Sequence, residues 1–126
     1  MDNTKKILLV EDDPFLSSLL KNRLQKEGLE VILAKDGEEG INFLKTTKPN
    51  LVLLDIILPK KSGFEVMETL RSDPELQGNS APVIIISNLG QQEDIAKGRQ
   101  LGAVEYYIKA KISIDDLVSK VKGFLK

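Results

Sequence analysis

The hydrophobic residues of the chain form five short, mostly apolar runs, and each run is followed by a stretch in which apolar residues recur at helical spacing. A run with no polar face, such as LVLL at Leu51–Leu54, is typical of a strand buried on both sides in a parallel sheet. The runs predict strands at Lys6–Val10, 29–34, Leu51–Leu54, 83–86 and 104–108. Leu51–Leu54 is predicted to be the central strand.

The stretches between the runs predict five helices. Pro14 is predicted to begin the first helix, with Asp13 as its N-cap, because proline is favoured at the first helical position. Gly28 is predicted to end this helix. The other helices are predicted at 40–46, 64–71, 89–101 and, from a cap at Ser113, up to Phe124.

Two segments lack a strand or helix pattern. Asp36-Gly37 is predicted to be a turn, and the polar segment 72–82 is predicted to be a surface loop within the domain. The fivefold alternation of strand and helix predicts an α/β fold, a doubly wound (βα)5 sandwich with helices on both faces of a five-stranded parallel sheet.

Polar residues with useful chemistry follow four of the predicted strands. Parallel strands end at one edge of the sheet, where open α/β sheets bind their ligands. The residues at this edge are Glu11, Asp12 and Asp13 after the first strand, Asp55 after the third, Ser87 and Asn88 after the fourth, and Lys109 after the fifth. The sequence therefore predicts a single site made of acids, a hydroxyl and a lysine.

The acids at this edge indicate a cation site. A helix dipole and strand-end polarity would account for Asp13 alone, but the further carboxylates of Glu11, Asp12 and Asp55 repel each other unless a cation neutralises them. The chain has no histidine, which excludes Ser-His-Asp and Cys-His catalysis and leaves oxygen as the metal ligand. Magnesium, manganese and calcium are the metals that such ligands favour.

Asp55 and Lys109 suggest phosphoryl transfer when they are considered together. A carboxylate can take up a phosphoryl group as an aspartyl-phosphate, and a metal and a lysine can neutralise the phosphoryl oxygens. The hydroxyl of Ser87 could then donate a hydrogen bond to the same group. Considered singly, each residue could also be an ordinary polar residue at a strand end.

The composition limits the classes of binding partner and the cellular location that we expect. The 18 basic and 19 acidic residues give a net charge of −1, without the basic face that nucleic acid requires. The chain has no cysteine and no apolar segment of the ~20 residues that span a bilayer. The first residues, MDNTKK, do not form a signal peptide. We expect a cytoplasmic protein with no membrane segment and no direct contact with nucleic acid.

The chain resembles the receiver domain of two-component response regulators over essentially its whole length, and four segments carry the resemblance. They are ILLVEDDP, LVLLDIILPKKSGFE with Pro59 and Gly63, PVIIISN, and GAVEYYIK. The resemblance implies a single receiver domain over residues 1–126. It also implies a flavodoxin-like fold with strand order 2-1-3-4-5, the order found in a chemotaxis receiver.

The resemblance implies a role for each residue of the site. Asp55 would be the phosphoacceptor, Lys109 its cationic partner, and Ser87 and Tyr106 the switch residues. The Mg²⁺ ligands would be Glu11, Asp12, Asp55 and the backbone carbonyl of Ile57, with Mn²⁺ able to substitute. Considered alone, Tyr106 could equally be a packed strand aromatic.

The implied protein is a signalling switch and not an enzyme, apart from its own Mg²⁺-dependent phosphorylation and slow dephosphorylation. A histidine kinase or a histidine phosphotransfer protein would donate the phosphoryl group, because the chain has no histidine of its own. The fourth helix, fifth strand and fifth helix would then bind a downstream protein or a second copy. We expect a stand-alone receiver, with a part of a longer regulator as the alternative.

The chain departs from the family pattern near the site. Ala110 follows Lys109 where the family usually has proline, often after a cis bond, and Asn88 is larger than the small residue expected there. Ile57 and Leu89 are apolar at two variable positions flanking the site, so neither can orient a water molecule. We therefore predict slow loss of the phosphoryl group.

Three other classes of protein share part of this pattern. A phosphatase of the haloacid-dehalogenase type usually has a second aspartate two residues after the nucleophile, where this chain has Ile57. A flavodoxin-like cofactor-binding protein would need a phosphate-binding loop after the first strand, and none is present. A pseudo-receiver that binds partners without phosphate is the main alternative, and Asn88 and Ala110 leave room for it.

Overall fold

The computed structural model describes residues 4–79 and 81–125. The strands are β1 (Lys6–Val10), β2 (Glu30–Ala34), β3 (Leu51–Leu54), β4 (Val83–Ser87) and β5 (Glu105–Ile108). The helices are α1 (Pro14–Lys26), α2 (Gly37–Thr47), α3 (Gly63–Ser72), α4 (Gln92–Gln100) and α5 (Ile114–Phe124). Short 3₁₀ turns lie at Pro74–Leu76 and Lys109–Lys111.

The five strands form one parallel sheet in the order β2-β1-β3-β4-β5, which confirms the predicted fold and strand order. Successive side chains of a strand point to opposite faces of the sheet. Leu8 and Val10 of β1 accordingly join one apolar cluster with residues of α2 and α3, whereas Ile7 and Leu9 join a second cluster with residues of α1 and α5. Both faces of the sheet are therefore covered by helices.

Helix α1 begins as predicted. The side chain of Asp13 accepts hydrogen bonds from the backbone N–H groups of Phe15 and Leu16, at 2.9 and 3.3 Å, with Pro14 at the first helical position. This cap fixes the direction in which the chain leaves the acidic segment after β1.

Helix α2 begins earlier than predicted, at Gly37 instead of residue 40. Asp36 accepts a hydrogen bond from the N–H of Glu39 at 2.8 Å, so the predicted Asp36-Gly37 turn is the N-cap and first residue of the helix. Helix α4 begins later than predicted, at Gln92 instead of residue 89, and its N-cap Gln91 makes no side-chain capping bond. Residues 88–91 therefore form a loop beside the predicted site.

The predicted surface loop 72–82 has some internal structure. It contains the 3₁₀ turn Pro74–Leu76, whose Leu76 is buried, while residue 80 of the predicted loop lies outside the described residues. No helix in the described ranges combines the length and apolar character needed to cross a membrane.

Candidate functional site

Asp55 lies directly after the central strand β3 and is 4% exposed. Its backbone N–H donates to the carbonyl of Val10 at 3.0 Å, which extends the pairing of β3 with β1 by one residue. Its Oδ1 accepts hydrogen bonds from the N–H groups of Ile56 at 2.7 Å and Ile57 at 3.4 Å. Strand pairing and two backbone donors thus fix the position of this carboxylate.

Three acids meet at the same edge, as the sequence predicts. Ligand oxygens of Glu11, Asp12 and Asp55 lie within 4.8 Å of one another. Glu11 is 1% exposed, and its Oε2 accepts a hydrogen bond from the N–H of Asp13 at 3.1 Å. Asp12 is exposed to solvent. The predicted role of the Ile57 carbonyl stays a prediction.

Lys109 joins the two buried acids. Its Nζ lies 2.8 Å from Asp55 Oδ2 and 2.8 Å from Glu11 Oε1. The contact with Asp55 is a hydrogen bond, whereas Glu11 Oε1 makes an ion pair without hydrogen-bond geometry. Because Lys109 reaches this position from the end of β5, one ammonium group connects both carboxylates.

The cluster shifts the proton affinities of its members. Burial raises the pKa of Glu11, and this effect outweighs the opposing contact with Lys109. Burial by itself would lower the pKa of Lys109, but the contacts with Asp55 and Glu11 together raise it. Lys109 therefore remains charged, and the structure holds it between the two acids.

Ser87 and Tyr106 both hold the loop after β4. Ser87 is fully buried, and its Oγ accepts a hydrogen bond from the N–H of Leu89 at 3.2 Å. This bond uses an acceptor site of the hydroxyl, and the hydroxyl also makes a side-chain hydrogen bond with Tyr106. The hydroxyl of Tyr106 donates to the carbonyl of Leu89 at 2.6 Å, and the ring is inward, with 7% of the residue exposed. Burial and the charge of Asp94 raise the pKa of Tyr106.

The two departures at Asn88 and Ala110 meet in one hydrogen bond. The N–H of Ala110 donates to Asn88 Oδ1 at 3.2 Å, and a proline at position 110 could not make this bond. Ala110 lies in the 3₁₀ turn Lys109–Lys111, and the described residues contain no cis peptide bond. The bond connects the loop after Ser87 with the turn that begins at Lys109. The sequence carries no local signal for this bond, because its two partners are 22 positions apart.

An exposed apolar group also lies at the start of α1 and after Asp55. Phe15 is 79% exposed, Leu19 is 37% exposed, and Ile57 is 60% exposed. Phe15 and Leu19 are four residues apart and share one face of the helix. Helical spacing alone did not separate these exposed residues from Leu20 and Leu24, which are fully buried.

Comparison with known proteins identifies the family. The sequence model described as "Response regulator receiver domain" matches residues 7–122. The chain therefore belongs to the receiver domains of two-component response regulators.

Its relatives include transcriptional regulators. The transcriptional regulatory protein CpxR of Escherichia coli K12 is 39% identical over 121 residues, which are 96% of this chain and 49% of CpxR. The alkaline phosphatase synthesis transcriptional regulatory protein PhoP of Bacillus subtilis is 36% identical over 122 residues, covering 97% of this chain and 49% of PhoP. The chain thus spans about half the length of these curated relatives.

Solved receiver structures have the same fold. A CheY-like receiver domain protein from Methanospirillum hungatei superimposes with a TM-score of 0.86 at 29% identity, covering 98% of this chain and 94% of that one. The BeF3-activated N-terminal receiver domain of Klebsiella pneumoniae RstA gives a TM-score of 0.84 at 30% identity, with coverages of 97% and 99%.

Proposed function

We propose that the chain is a phosphorylation switch in which Asp55 accepts a phosphoryl group from a phosphohistidine on a partner kinase or phosphotransfer protein. The observation that carries the proposal is the buried Asp55 carboxylate, 2.8 Å from Lys109 Nζ and within 4.8 Å of two further acids. Membership of the receiver family supports the same conclusion. One receiver unit over residues 1–126 and a cytoplasmic location are parts of this proposal.

In the proposed transfer, a carboxylate oxygen of Asp55 attacks phosphorus. The P–N bond of the phosphohistidine breaks, and its electron pair stays on the imidazole nitrogen. The backbone N–H groups of Ile56 and Ile57 hold Asp55 in place, so little reorganisation is needed before the attack. The product carries nearly two negative charges, and Lys109 is already within reach to bind its oxygens.

The acids also suit a divalent cation. Glu11 Oε1 is buried without a hydrogen bond, and the candidate side-chain ligands are all carboxylate oxygens, which Mg²⁺ prefers and Mn²⁺ accepts. We propose that Glu11, Asp12, Asp55 and the backbone carbonyl of Ile57 hold the ion. When bound, it would neutralise charge on the phosphoryl oxygens.

The switch would act through residues 87–89 and Tyr106. The Ser87 hydroxyl would turn to donate a hydrogen bond to a phosphoryl oxygen, and the backbone of Leu89 joins Ser87 to Tyr106 through two hydrogen bonds. A shift of this loop would reach α4, β5 and α5, the face proposed to bind a downstream protein or a second copy. The chain itself is not expected to contact nucleic acid directly.

The first prediction tests the acceptor. Incubation with Mg²⁺ and acetyl phosphate is expected to add one phosphoryl group to the protein, as measured by intact mass. Asp55→Asn is expected to abolish this addition because an amide is a poor nucleophile, and EDTA is expected to abolish it by removing the cation.

Asp13→Asn is the matched control. Asp13 lies in the same acidic segment but caps α1, and asparagine is an equally good cap. This variant is expected to be phosphorylated like the parent protein. A folded parent protein that stays unmodified with both acetyl phosphate and a panel of phosphorylated histidine kinases would contradict the proposal and favour the pseudo-receiver.

The second prediction concerns the lifetime of the phosphorylated form. Ile57 is exposed beside Asp55 and Leu89 is half-buried, and neither side chain can orient a water molecule for attack. Ile57→Asn or Leu89→Glu is expected to speed dephosphorylation about 10-fold, below the usual contribution of a positioned acid–base group. The decay of the phosphorylated mass after removal of acetyl phosphate measures this rate. Unchanged decay in both variants would show that water positioning does not limit the reaction.

A further inference from the structure

Gly98 is an interior residue of α4, at a position where glycine weakens the helix. Glycine loses more backbone freedom in a helix than alanine does. The N-cap of α4 makes no side-chain bond, and the residue of α4 that is buried is Gly98. Alanine at position 98 would stabilise such a helix unless another group needs the space that its methyl group would fill.

The space beside Gly98 is occupied by two neighbouring residues of the sheet. A Cβ at position 98 would lie 2.7 Å from Cδ1 of Ile85, and 2.9 and 3.2 Å from Cδ2 and Cε2 of Tyr106. Contacts shorter than 3.0 Å require one of the groups to move. Ile85 and Tyr106 pair across β4 and β5, so both contacts arise at one point of the sheet.

Tyr106 is the residue whose side chain we expect to move to relieve this contact. Ile85 is fully buried in the core, whereas Tyr106 lies on the edge strand β5. Lys97, next to Gly98, lies 4.7 Å above the ring centroid of Phe64 in α3, which helps to hold α4 in place. We expect a side chain at position 98 to push the tyrosine ring outward, which would break its 2.6 Å hydrogen bond to Leu89.

We propose that Gly98 is a positioning residue of the switch. The absence of a side chain at Gly98 makes the space in which Tyr106 lies inward, and the inward ring holds the loop 88–91 through its bond to the Leu89 carbonyl. The inference rests on the proposed function, in which Tyr106 and the loop after Ser87 form the switch. It adds a residue on α4 that sets the balance between the inward and outward positions of the ring.

The test compares two glycine-to-alanine variants. Gly98→Ala introduces the contacts described above, whereas Gly123→Ala in α5 introduces a Cβ with nothing within 4 Å. Both are made in a Tyr107→Phe background. The chain has two tyrosines and no tryptophan, so Tyr106 becomes the sole tyrosine, and excitation near its absorption maximum reports on it selectively. Acrylamide quenching measures the exposure of Tyr106, and an ultraviolet titration measures its ionisation.

Gly98→Ala is expected to raise the quenching constant several-fold and to lower the pKa of Tyr106 towards its ordinary value. Gly123→Ala is expected to leave both unchanged. A folded Gly98→Ala variant with parental quenching and titration would overturn the proposal, because α4 or Ile85 would then have moved instead of the ring.

A second variant covers the case in which Gly98→Ala does not fold. Ile85→Val removes the Cδ1 methyl group that would lie closest to the new Cβ, and leaves the contact with Tyr106. Gly98→Ala combined with Ile85→Val is expected to expose Tyr106, and a buried Tyr106 in this variant would overturn the proposal. None of these readouts needs a phosphoryl group. Failure of the Gly98 proposal is therefore distinguishable from failure of Asp55 phosphorylation.

Discussion

Replacing Lys109 by methionine is expected to slow phosphorylation of Asp55 by acetyl phosphate about 100-fold, the scale of losing one preorganised electrostatic group. Methionine keeps most of the unbranched stem and removes the ammonium that lies 2.8 Å from both Asp55 and Glu11. Without the ammonium, the negatively charged acetyl phosphate approaches a more negative site. The oxygens of the transferred phosphoryl group also lose a binding partner. The initial rate of phosphorylation, followed by intact mass at saturating Mg²⁺, measures this effect.

The same substitution is expected to lower the free energy of unfolding by about 3 kcal/mol without added metal, because it leaves two buried acids without their cation. Burial raises the pKa of Glu11 and Lys109 opposes this effect, so the substitution is expected to raise the pKa further. An acid with a raised pKa in the folded state stabilises the protein at low pH and loses that contribution as the pH rises. The loss in the variant is therefore expected to be larger at about pH 8 than at about pH 5. Urea unfolding at both pH values measures the difference.

Lys111→Met is the matched control for this experiment. Lys111 belongs to the same 3₁₀ turn as Lys109 but is exposed. Its substitution removes the same charge without removing the contacts to Asp55 and Glu11, so both rate and stability are expected to stay close to the parent values. Parental rate and stability in Lys109→Met would show that the ammonium is not needed at this site.

The position of the site could be predicted because the strands of a parallel sheet all end at the same edge. Each apolar run ends at the same edge, so Glu11, Asp12, Asp55 and Lys109 could be expected to meet, although they are up to 98 positions apart along the chain. The structure brings the three acids together and puts the ammonium of Lys109 between two of them. Periodicity and strand direction were sufficient for this part of the prediction.

The starts of α2 and α4 differ from the prediction for two separate reasons. Asp36-Gly37 has the composition of a turn, but a Cβ on Gly37 would collide with the carbonyl oxygen of Lys61. The glycine is needed for this close approach at the first residue of α2. Helix α4 lacks a capping side chain at Gln91, so the local sequence offered no signal for where it begins.

Contacts between loops also could not be predicted from the hydrophobic pattern of the sequence. The hydrogen bond from Ala110 to Asn88 joins residues 22 positions apart, in segments that have no periodicity. The exposure of Phe15 has a related cause, because a spacing of three or four residues does not show how far the first turn of α1 is covered. These features depend on which neighbouring segments reach the edge of the sheet.

Replacing Gly63 by alanine is expected to destabilise the protein by roughly 3 kcal/mol, at the upper end of overpacking effects, and to slow phosphorylation of Asp55. Gly63 is the first residue of α3, and its N–H donates to the carbonyl of Ile56 at 2.8 Å. A Cβ at this position would collide with the backbone carbonyl of Asp55 and would lie 2.8 Å from Cα of Ile56. These are backbone atoms, which cannot rotate away as a flexible side chain can.

The displacement would act on the acceptor itself. Ile56 supplies the 2.7 Å backbone hydrogen bond to Asp55 Oδ1, so moving this segment changes the direction of the carboxylate. A shift of about 1 Å can cost about 100-fold in rate when reacting groups must be aligned, and we expect a loss of this order in the folded variant. Urea unfolding and the initial rate of phosphorylation by acetyl phosphate measure the two effects.

Gly123→Ala separates crowding at Gly63 from the general effect of adding a methyl group to a helix. Its Cβ would meet nothing within 4 Å, so alanine is expected to stabilise α5 by about 0.5–1 kcal/mol and leave the rate unchanged. Opposite signs for the two substitutions would assign the loss at Gly63 to the contact with the Asp55 backbone. A Gly63→Ala variant that kept both the parental stability and rate would show that the start of α3 can move without displacing the acceptor, and that Gly63 does not position it.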